Sequence, residues 1–212
     1  VTDEVIEAID SSDKIVRHLH IPLQSGSDTV LKRMRRKYTM DMFADRLNKL
    51  KQALPRLAVT SDVIVGFPGE TEEEFQETVD FVKQHQFSEL HVFPYSKRTG
   101  TPAARMENQV PEDVKSERVH RMIAVSDQLA KEYASQFEGE VLEIIPEERY
   151  KEEPHSGLYV GYTDNYLKVK VPLTGEMIGK LVKVKVTKAG YPYNEGQFVR
   201  VIDDDNYLKQ SS

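Results

Sequence analysis

The sequence has 212 residues, of which 30% are charged and 39% hydrophobic, and its 35 acidic and 29 basic residues give a formal net charge of −6. This composition is typical of a folded globular protein. The net negative charge argues against binding nucleic acid through the overall charge of the chain, but it does not exclude a local basic face. No apolar run approaches the ~20 residues that cross a bilayer, so we expect no membrane partner. The sequence contains no cysteine, which excludes disulfides and cysteine-ligated zinc or iron–sulfur sites in this chain.

Up to residue 137, short apolar runs alternate with longer helical patterns. The chain begins at Val1 with the helix-like run TDEVIEAI, and we expect a piece of a longer protein; an intact protein with a processed N-terminus is the alternative. Strands are predicted over 14–23, 59–66 and 88–95, and helices over 40–54, from Thr71 onward and over 112–137. Thr39 is a suitable N-cap, and Thr71 and Glu74 have capping-box spacing. Strands that alternate with helices predict parallel βαβ units.

After Gly139 the pattern changes to a period of two residues. Valines alternate with lysines in LKVKV, residues 167–171, and again in VKVKVTK, residues 182–188. Further apolar segments at 140–145, 158–162 and 197–203 bring the number of short strands to about five. Five short strands are too few for a β-sandwich, so the pattern predicts a small Greek-key or OB-like barrel.

The ends of the three predicted parallel strands carry polar side chains. The first reads HIPLQSGSD, the second has Asp62 followed by GFPGE, and the third reads FPYSKRTGTP. Ligands bind at the carboxyl ends of strands in such folds, and glycine lets a ligand approach the backbone closely. Gly, Pro and Ser are also ordinary turn residues, but three successive strand ends of this kind favour a binding site. The basic segment LKRMRRK, residues 31–37, is predicted to form a short helix from which one guanidinium can bind a carboxylate or phosphate.

Two other kinds of site have less support in the sequence. Serine hydrolase chemistry is disfavoured because G-x-S-x-G is absent and His18, His20 and His91 lie in predicted strands without a nucleophile elbow. A metal site built from the six histidines is not expected, because no pair has i, i+4 spacing with a carboxylate. His20 is predicted either to face the strand ends or to be buried as a structural residue.

Three motifs, in this order, resemble a known enzyme family. HLHIPLQSGSDTVLKRMRRKYT, TSDVIVGFPGETEEEF and HVFPYSKRTGTPAARM resemble the second half of the radical S-adenosylmethionine (SAM) barrel of the methylthiotransferases. The sequence after Gly139 resembles their TRAM domain, a small RNA-binding β-barrel. Within the family, VGYTDNYLKVKV is most similar to the branch that makes 2-methylthio-N6-threonylcarbamoyladenosine in tRNA. The sibling branches act on isopentenyladenosine in tRNA and on ribosomal protein S12.

The resemblance implies an α/β fold with two domains. About three parallel strands with their helices would form part of a radical-SAM (β/α) barrel, and a small all-β TRAM barrel of the OB-like type would follow it. The implied boundaries are 1–137 for the partial barrel with its long terminal helix, 138–203 for the TRAM barrel and 204–212 for a tail. A cytoplasmic protein is expected.

The resemblance also implies a SAM-binding site. Arg36 suits the methionyl carboxylate, and Asp62 suits the ribose hydroxyls. The backbone from Ile64 to Gly66 suits the adenine, with the third strand end closing over it. The complete set of implied cofactor-binding residues is Gln24, Ser25, Arg36, Asp62, Ile64, Gly66, Phe93 and Pro94. No residue of this chain is assigned a catalytic or metal-binding role.

The absence of cysteine departs from the family pattern. The resemblance implies two 4Fe-4S clusters held by cysteines, and this sequence can supply none of those ligands. We therefore expect the longer parent protein to be the enzyme, with the missing N-terminal part as a partner of this chain, and the chain alone to be inactive. The implied reaction replaces the C2 hydrogen of N6-threonylcarbamoyladenosine, at position 37 of tRNA, with a methylthio group.

The C-terminal segment has a charge that suits RNA. Residues 158–201 contain seven basic and three acidic side chains, a local charge of +4, whereas residues 138–153 contain seven acidic and two basic ones, a local charge of −5. The residues predicted to contact the tRNA anticodon stem-loop are Lys168, Lys170, Lys183, Lys185 and Tyr166. Lysines on an exposed strand are also an ordinary solubility feature. A bare RNA-binding module without catalysis therefore stays an alternative, as do the two sibling branches; Tyr166 and the lysine-rich strands argue weakly against the S12 branch.

Overall fold

The computed structural model describes residues 1–12 and 14–202. The predicted tail at 204–212 and the last residue of the predicted strand 197–203 lie outside this range. The chain divides into two compact units between Ala130 and Lys131, seven residues before the boundary predicted from the sequence. Within the described residues, no helix has both the length and the apolar character needed to cross a membrane.

The first unit contains a parallel three-stranded sheet, in the order β1-β2-β3, with helices between its strands. Its elements are α1 (Asp3–Asp10), β1 (His18–His20), α2 (Asp28–Arg33), α3 (Met40–Ala53), β2 (Ala58–Val65), α4 (Glu72–Gln84), β3 (Glu89–Pro94) and the greater part of α5 (Glu112–Ser135). This architecture confirms the predicted βαβ units.

Two predicted elements differ from the observed ones. Strand β1 covers only residues 18–20 of the predicted 14–23. It ends before residue 23 because Pro22 has no N–H with which to continue the ladder. The basic helix predicted within residues 31–37 begins earlier and ends at Arg33. Arg35 has a φ of 58°, a left-handed conformation that does not continue a helix. The arginines at 35 and 36 therefore lie in a turn.

The two faces of the sheet have different chemistry because side chains alternate along a strand. Val59, Val63 and Val65 of β2 are buried in the hydrophobic core that also contains Phe75 of α4 and Leu47 of α3. Thr60, Asp62 and Ile64 of β2 lie on the opposite face. The polar face and the strand ends are thus where a ligand can bind.

The helix starts agree with the caps predicted from the sequence. The Thr39 side chain accepts a hydrogen bond from the Met42 amide at the start of α3. Thr71 and Glu74 form a complete capping box at the start of α4. Glu74 also accepts hydrogen bonds from two residues of α2, Thr29 at 2.6 Å and Arg33 at 3.0 and 2.5 Å. One carboxylate therefore both caps α4 and binds α2 to it.

The second unit contains a closed five-stranded barrel, with strand order β4-β5-β6-β8-β7. The strands are β4 (Val141–Arg149), β5 (Leu158–Thr163), β6 (Lys168–Pro172), β7 (Val182–Lys188) and β8 (Asn194–Val201). The valines of β6 and β7 fill the core of this unit, together with Ala134, Phe137, Leu142 and Ile144. The small barrel predicted from the period-two pattern is confirmed.

Glu74→Gln tests the carboxylate that joins α2 to α4. Partial burial works against ionisation, but hydrogen bonds from Arg33, Thr29 and Thr71 lower the pKa of Glu74 from 4.5 to about 2. A pKa below its unfolded value stabilises the fold above pH 4.5, and this contribution is lost as the pH falls towards 2. We expect Glu74→Gln to lower the free energy of unfolding at pH 7 by about 2 kcal/mol. The deficit should shrink between pH 4.5 and 2, as measured by urea denaturation.

Glu77→Gln is the matched control for this substitution. Glu77 lies on the same helix and is exposed, so its change should alter the free energy of unfolding by less than about 0.5 kcal/mol at any of these pH values. A deficit for Glu74→Gln that does not depend on pH would contradict the assignment of a stabilising carboxylate.

Candidate functional site

A cleft of about 700 Å³ lies at the carboxyl ends of the three parallel strands. It contains side chains from each strand end and from the turn after α2. Six of the eight predicted SAM-binding residues line this one cleft: Gln24, Arg36, Asp62, Ile64, Phe93 and Pro94. The structure thus brings together residues that lie up to 70 positions apart in the sequence.

Gln24 is fixed beside Asp62 by its backbone. It has a φ of 66° and forms an isolated parallel bridge with Val63. Its amide donates to the Asp62 carbonyl, and its own carbonyl accepts from the Ile64 amide, both at 2.8 Å. The chain leaves the sheet at Pro22 and returns at Gln24, which places the Gln24 side chain in the cleft.

Ser25 and Gly66 lie outside the cleft lining. Ser25 is fully buried, and its hydroxyl is 3.3 Å from the Thr78 hydroxyl, an arrangement that favours a packing role. Gly66 is also buried, with a φ of 72°, and its amide donates to a Glu70 carboxylate oxygen at 2.8 Å. A Cβ at this position would overlap the side chain of Lys115. Contact of Ser25 or Gly66 with SAM stays a prediction.

A hydrogen-bonded row of side chains crosses the polar face of the sheet and ends at Asp62. The Thr60 hydroxyl lies 2.9 Å from His18 Nε2 and 3.0 Å from His20 Nδ1. His20 Nε2 is 3.4 Å from Asp62 Oδ2. Burial, with the neighbouring His20 and His91, lowers the pKa of His18. Of the two positions predicted for His20, the structure shows the one at the strand ends, with the ring partly exposed and next to the Asp62 carboxylate.

Several residues of the cleft were not singled out from the sequence. Tyr95 and Arg98 follow β3, and Arg35 lies in the turn after α2. The Tyr95 hydroxyl is buried, and it has no hydrogen-bond partner among residues 1–12 and 14–202. The motif FPYSKRTGTP contains the first two, and LKRMRRK contains the third, but local spacing gave no reason to choose them.

The groups that line the cleft fit SAM. It combines a carboxylate acceptor at Asp62, a guanidinium at Arg36 and apolar surfaces at Ile64 and Phe93, and the buried Tyr95 hydroxyl can bond to a ligand. Iron–sulfur clusters are generally held by cysteine thiolates, and the sequence contains no cysteine. The described part of the chain also has no group of three His, Cys, Asp or Glu side chains placed to hold a metal ion.

The second unit carries tyrosine and lysine side chains on one part of its surface, here called the tyrosine–lysine face. Its members are Tyr162, Tyr166, Lys168, Lys170 and Tyr193, together with the largely buried Tyr150. The Lys168 ammonium lies 4.8 Å from the ring centre of Tyr193 and 5.5 Å from that of Tyr162. The Lys170 ammonium lies 5.3 Å from the ring centre of Tyr150. Tyr162 stacks on Tyr166 with ring centres 5.1 Å apart.

The other predicted RNA-binding lysines occupy a different part of the barrel. Strand β8 separates β6 from β7, so Lys183 and Lys185 do not lie beside the tyrosine–lysine face. Lys183 faces Glu143 on β4, with Nζ and Oε1 3.5 Å apart. All four lysines point away from the valine core, as the alternation predicts, but they form two separate pairs.

Comparison with known proteins confirms the resemblance found in the sequence. Residues 1–82 match the family model of the Radical SAM superfamily, and residues 135–201 match that of the TRAM domain. The chain is 77% identical over 205 residues to the threonylcarbamoyladenosine tRNA methylthiotransferase MtaB of Bacillus subtilis (strain 168), a match that covers 97% of this chain and 46% of the relative. It is 41% identical over 199 residues to the tRNA-2-methylthio-N(6)-dimethylallyladenosine synthase of Carboxydothermus hydrogenoformans, covering 94% of this chain and 45% of the relative.

The chain therefore spans less than half the length of these curated relatives. Among solved structures, the radical SAM enzyme coproporphyrinogen III oxidase (HemN) from Escherichia coli matches 61% of this chain and 30% of its own, with 20% identity and a TM-score of 0.49.

Gly66→Ala tests the turn that borders the cleft, with Gly100→Ala as its control. Both glycines have positive φ, 72° and 89°, so each alanine costs about 1 kcal/mol of backbone strain. A Cβ at Gly100 meets no atom within 4 Å, whereas one at Gly66 overlaps Lys115. We expect Gly66→Ala to lower the free energy of unfolding by about 1–3 kcal/mol more than Gly100→Ala does, as measured by urea denaturation. Equal losses would mean that the Lys115 side chain moves aside freely.

Proposed function

We propose, from the premise that this chain belongs to the radical SAM superfamily and carries a TRAM domain, that it forms the SAM- and tRNA-binding half of a tRNA-modifying enzyme. The enzyme would add a methylthio group to C2 of N6-threonylcarbamoyladenosine at position 37 of tRNA, in the cytoplasm. The observation that carries this proposal is the meeting of Gln24, Arg36 and Asp62 with two apolar strand ends in one cleft.

Each group in the cleft has a role in this proposal. The Arg36 guanidinium binds the methionyl carboxylate of SAM, and the Asp62 carboxylate accepts hydrogen bonds from the ribose hydroxyls. Ile64 and Phe93 provide apolar surface for the adenine. SAM would supply, when bound, the methyl group and the chemistry that removes the C2 hydrogen, and the sulfur atom would come from the iron–sulfur centre in the remaining part of the protein. The protein's part is to hold the ligand in a fixed orientation, and the His20 contact at 3.4 Å helps to fix Asp62.

The proposed activity also needs iron–sulfur clusters that this sequence cannot ligate with cysteine. In our proposal, the two 4Fe-4S clusters belong to the remaining part of a longer protein, comparable in length to the relatives. The chain alone would then bind SAM weakly and catalyse no methylthio transfer.

The proposed tRNA contact lies on the tyrosine–lysine face. Aromatic side chains stack on unpaired bases, and lysines bind phosphate. Tyr162 and Tyr166 offer ring surface beside Lys168. The anticodon stem-loop has both unpaired bases and phosphates at the position where the modified adenosine lies, so it is the partner we propose.

A fusion protein tests the proposed reaction. The part of the B. subtilis relative that this chain does not match would be joined to the chain, which is 77% identical to the relative over 205 residues, and the clusters would be reconstituted without oxygen. We expect methylthio transfer to a stem-loop that contains N6-threonylcarbamoyladenosine, detected by mass spectrometry of the nucleosides. Transfer only to isopentenyladenosine, or only to ribosomal protein S12, would place the chain in a sibling branch. RNA binding without transfer to any substrate would favour the bare binding module.

Arg36→Ala and Asp62→Ala test the SAM site in this fusion protein. Hydrogen bonds to charged groups contribute roughly 1.5–3 kcal/mol, so each substitution should weaken SAM binding about 10- to 100-fold, as measured by calorimetry. Arg105→Ala is the control, because Arg105 is exposed and is not among the residues that line the cleft. Unchanged affinity in both Arg36→Ala and Asp62→Ala would contradict their assigned roles.

Two double substitutions test the tRNA contact and serve as controls for each other. Lys168 and Lys170 lie among tyrosines, whereas Lys183 already faces Glu143. Changing the first pair to Gln should make the slope of log affinity against log salt shallower by about 0.7–0.9 for each phosphate that is no longer neutralised. Changing Lys183 and Lys185 to Gln should alter the slope less. The reverse order, or two unchanged slopes, would contradict contact through the tyrosine–lysine face.

A further inference from the structure

The cleft carries more guanidinium groups than SAM can use. Arg33, Arg35, Arg36 and Arg98 all line it. Glu74 neutralises Arg33 through two hydrogen bonds. Among the residues that the structure describes, the other three arginines have no carboxylate partner. SAM has one carboxylate, one ammonium and one sulfonium, so it is a net cation, and Asp62 is the single acidic residue of the lining.

This excess of positive charge points to a second, anionic ligand in the same cleft. Bringing a net cation into a site with unpaired guanidinium groups is unfavourable unless a further negative charge enters as well. With Arg36 assigned to the methionyl carboxylate, Arg35 and Arg98 remain. They lie on different connections, one after α2 and one after β3, and both are exposed. A ligand group that contacts both must lie at the mouth of the cleft, between these two connections.

We infer that Arg35 and Arg98 bind the carboxylate of the threonylcarbamoyl group of the substrate adenosine. This inference rests on the proposed function, and it adds the residues that select the substrate. A threonylcarbamoyl group ends in a carboxylate beside a hydroxyl, and guanidinium groups bind carboxylates through paired hydrogen bonds. Thr101 also lines the cleft, and its hydroxyl donates a hydrogen bond to the Arg98 carbonyl at 2.8 Å, which supports the connection that carries Arg98. The apolar side chains of Met34 and Met106 lie in the same lining.

The same arginines disfavour a dimethylallyl group. An apolar chain in this position would take two guanidinium groups out of water without giving them a partner, which is costly. Sites that are built to bind a polar group reject analogues that lack it far more strongly than apolar pockets reject small differences in size. Arg35 and Arg98 would therefore determine substrate specificity by attraction of one modification and rejection of the other.

These arginines could also bind a phosphate group of the RNA. Free nucleosides contain the modified base but no phosphate, so they distinguish binding of the carboxylate from binding of phosphate. We would titrate the full chain, saturated with SAM, with N6-threonylcarbamoyladenosine nucleoside, with its carboxamide and with N6-isopentenyladenosine, and follow the protein by NMR. None of these probes contains phosphate. We expect the carboxylate form to bind at least about 10-fold more tightly than the carboxamide.

Arg35→Gln and Arg98→Gln should each remove most of this preference, while Arg105→Gln should retain it. Arg105 is an exposed arginine of the same loop region that does not line the cleft. Both substitutions affect exposed side chains, so the fold should be unchanged.

The inference is overturned if the carboxylate and carboxamide bind equally, if neither binds, or if the preference survives in both variants. In those cases, transfer to the modified stem-loop by the fusion protein would still support the proposed function. A third outcome is stem-loop binding that depends on salt, is lost in Arg35→Gln and Arg98→Gln, and is the same with and without the threonylcarbamoyl group. That outcome would mean that these arginines bind phosphate. Absence of transfer to every substrate would instead reject the proposed function itself.

Discussion

The buried ion pair between Glu70 and Arg118 holds together the turn on which the candidate site depends. Both side chains are almost completely buried, and their closest charged atoms are 2.8 Å apart. Burial raises the pKa of Glu70, while the Gly66 amide and Arg118 oppose this shift. Removing one partner of a buried pair leaves an uncompensated charge, at a cost of about 3–5 kcal/mol. The pair joins the end of β2 to α5, and this explains why the turn after β2 has so specific a sequence.

The same turn sets the positions of two strand ends. Lys115 of α5 passes over Gly66, where a glycine is needed because a side chain would overlap it. The Lys115 ammonium then donates to the Tyr95 carbonyl at 3.2 Å, and the Tyr95 amide donates to the Val65 carbonyl at 2.8 Å. Asp62, Ile64 and Phe93 of the cleft therefore stand on strands that a buried network holds in place. Arg35, Arg36 and Arg98 instead lie on exposed connections.

In the second unit, the alternation of side chains along each strand separates buried residues from exposed ones. The valines close the barrel core, and the intervening lysines point outward. What distinguishes the lysines from one another is their neighbours. Lys168 lies over two tyrosine rings, and although partial burial works against its charge, these tyrosines raise its pKa. Lys183 faces a glutamate instead, so similar VKV patterns produce surfaces with different chemistry.

The sequence by itself determined the features that depend on neighbours along the chain. The Thr39 cap, the Thr71–Glu74 capping box and the valine–lysine alternation all follow from contacts a few residues long, and the three motifs were sufficient to indicate the family. Only the tertiary structure decided which distant charges meet. Arg33 binds Glu74, and Arg118 binds Glu70, across more than 40 residues of sequence. The spacing of residues within a helix or strand does not indicate such pairs. For the same reason, spacing could not show that Arg35 and Arg98 share a cleft with Asp62, or that Lys168 lies among tyrosines while Lys183 lies beside Glu143. Local hydrogen bonds, and the alternation of buried and exposed side chains, depend on residues that are close together in the sequence. The pairing of distant charges depends on how the helices and strands pack.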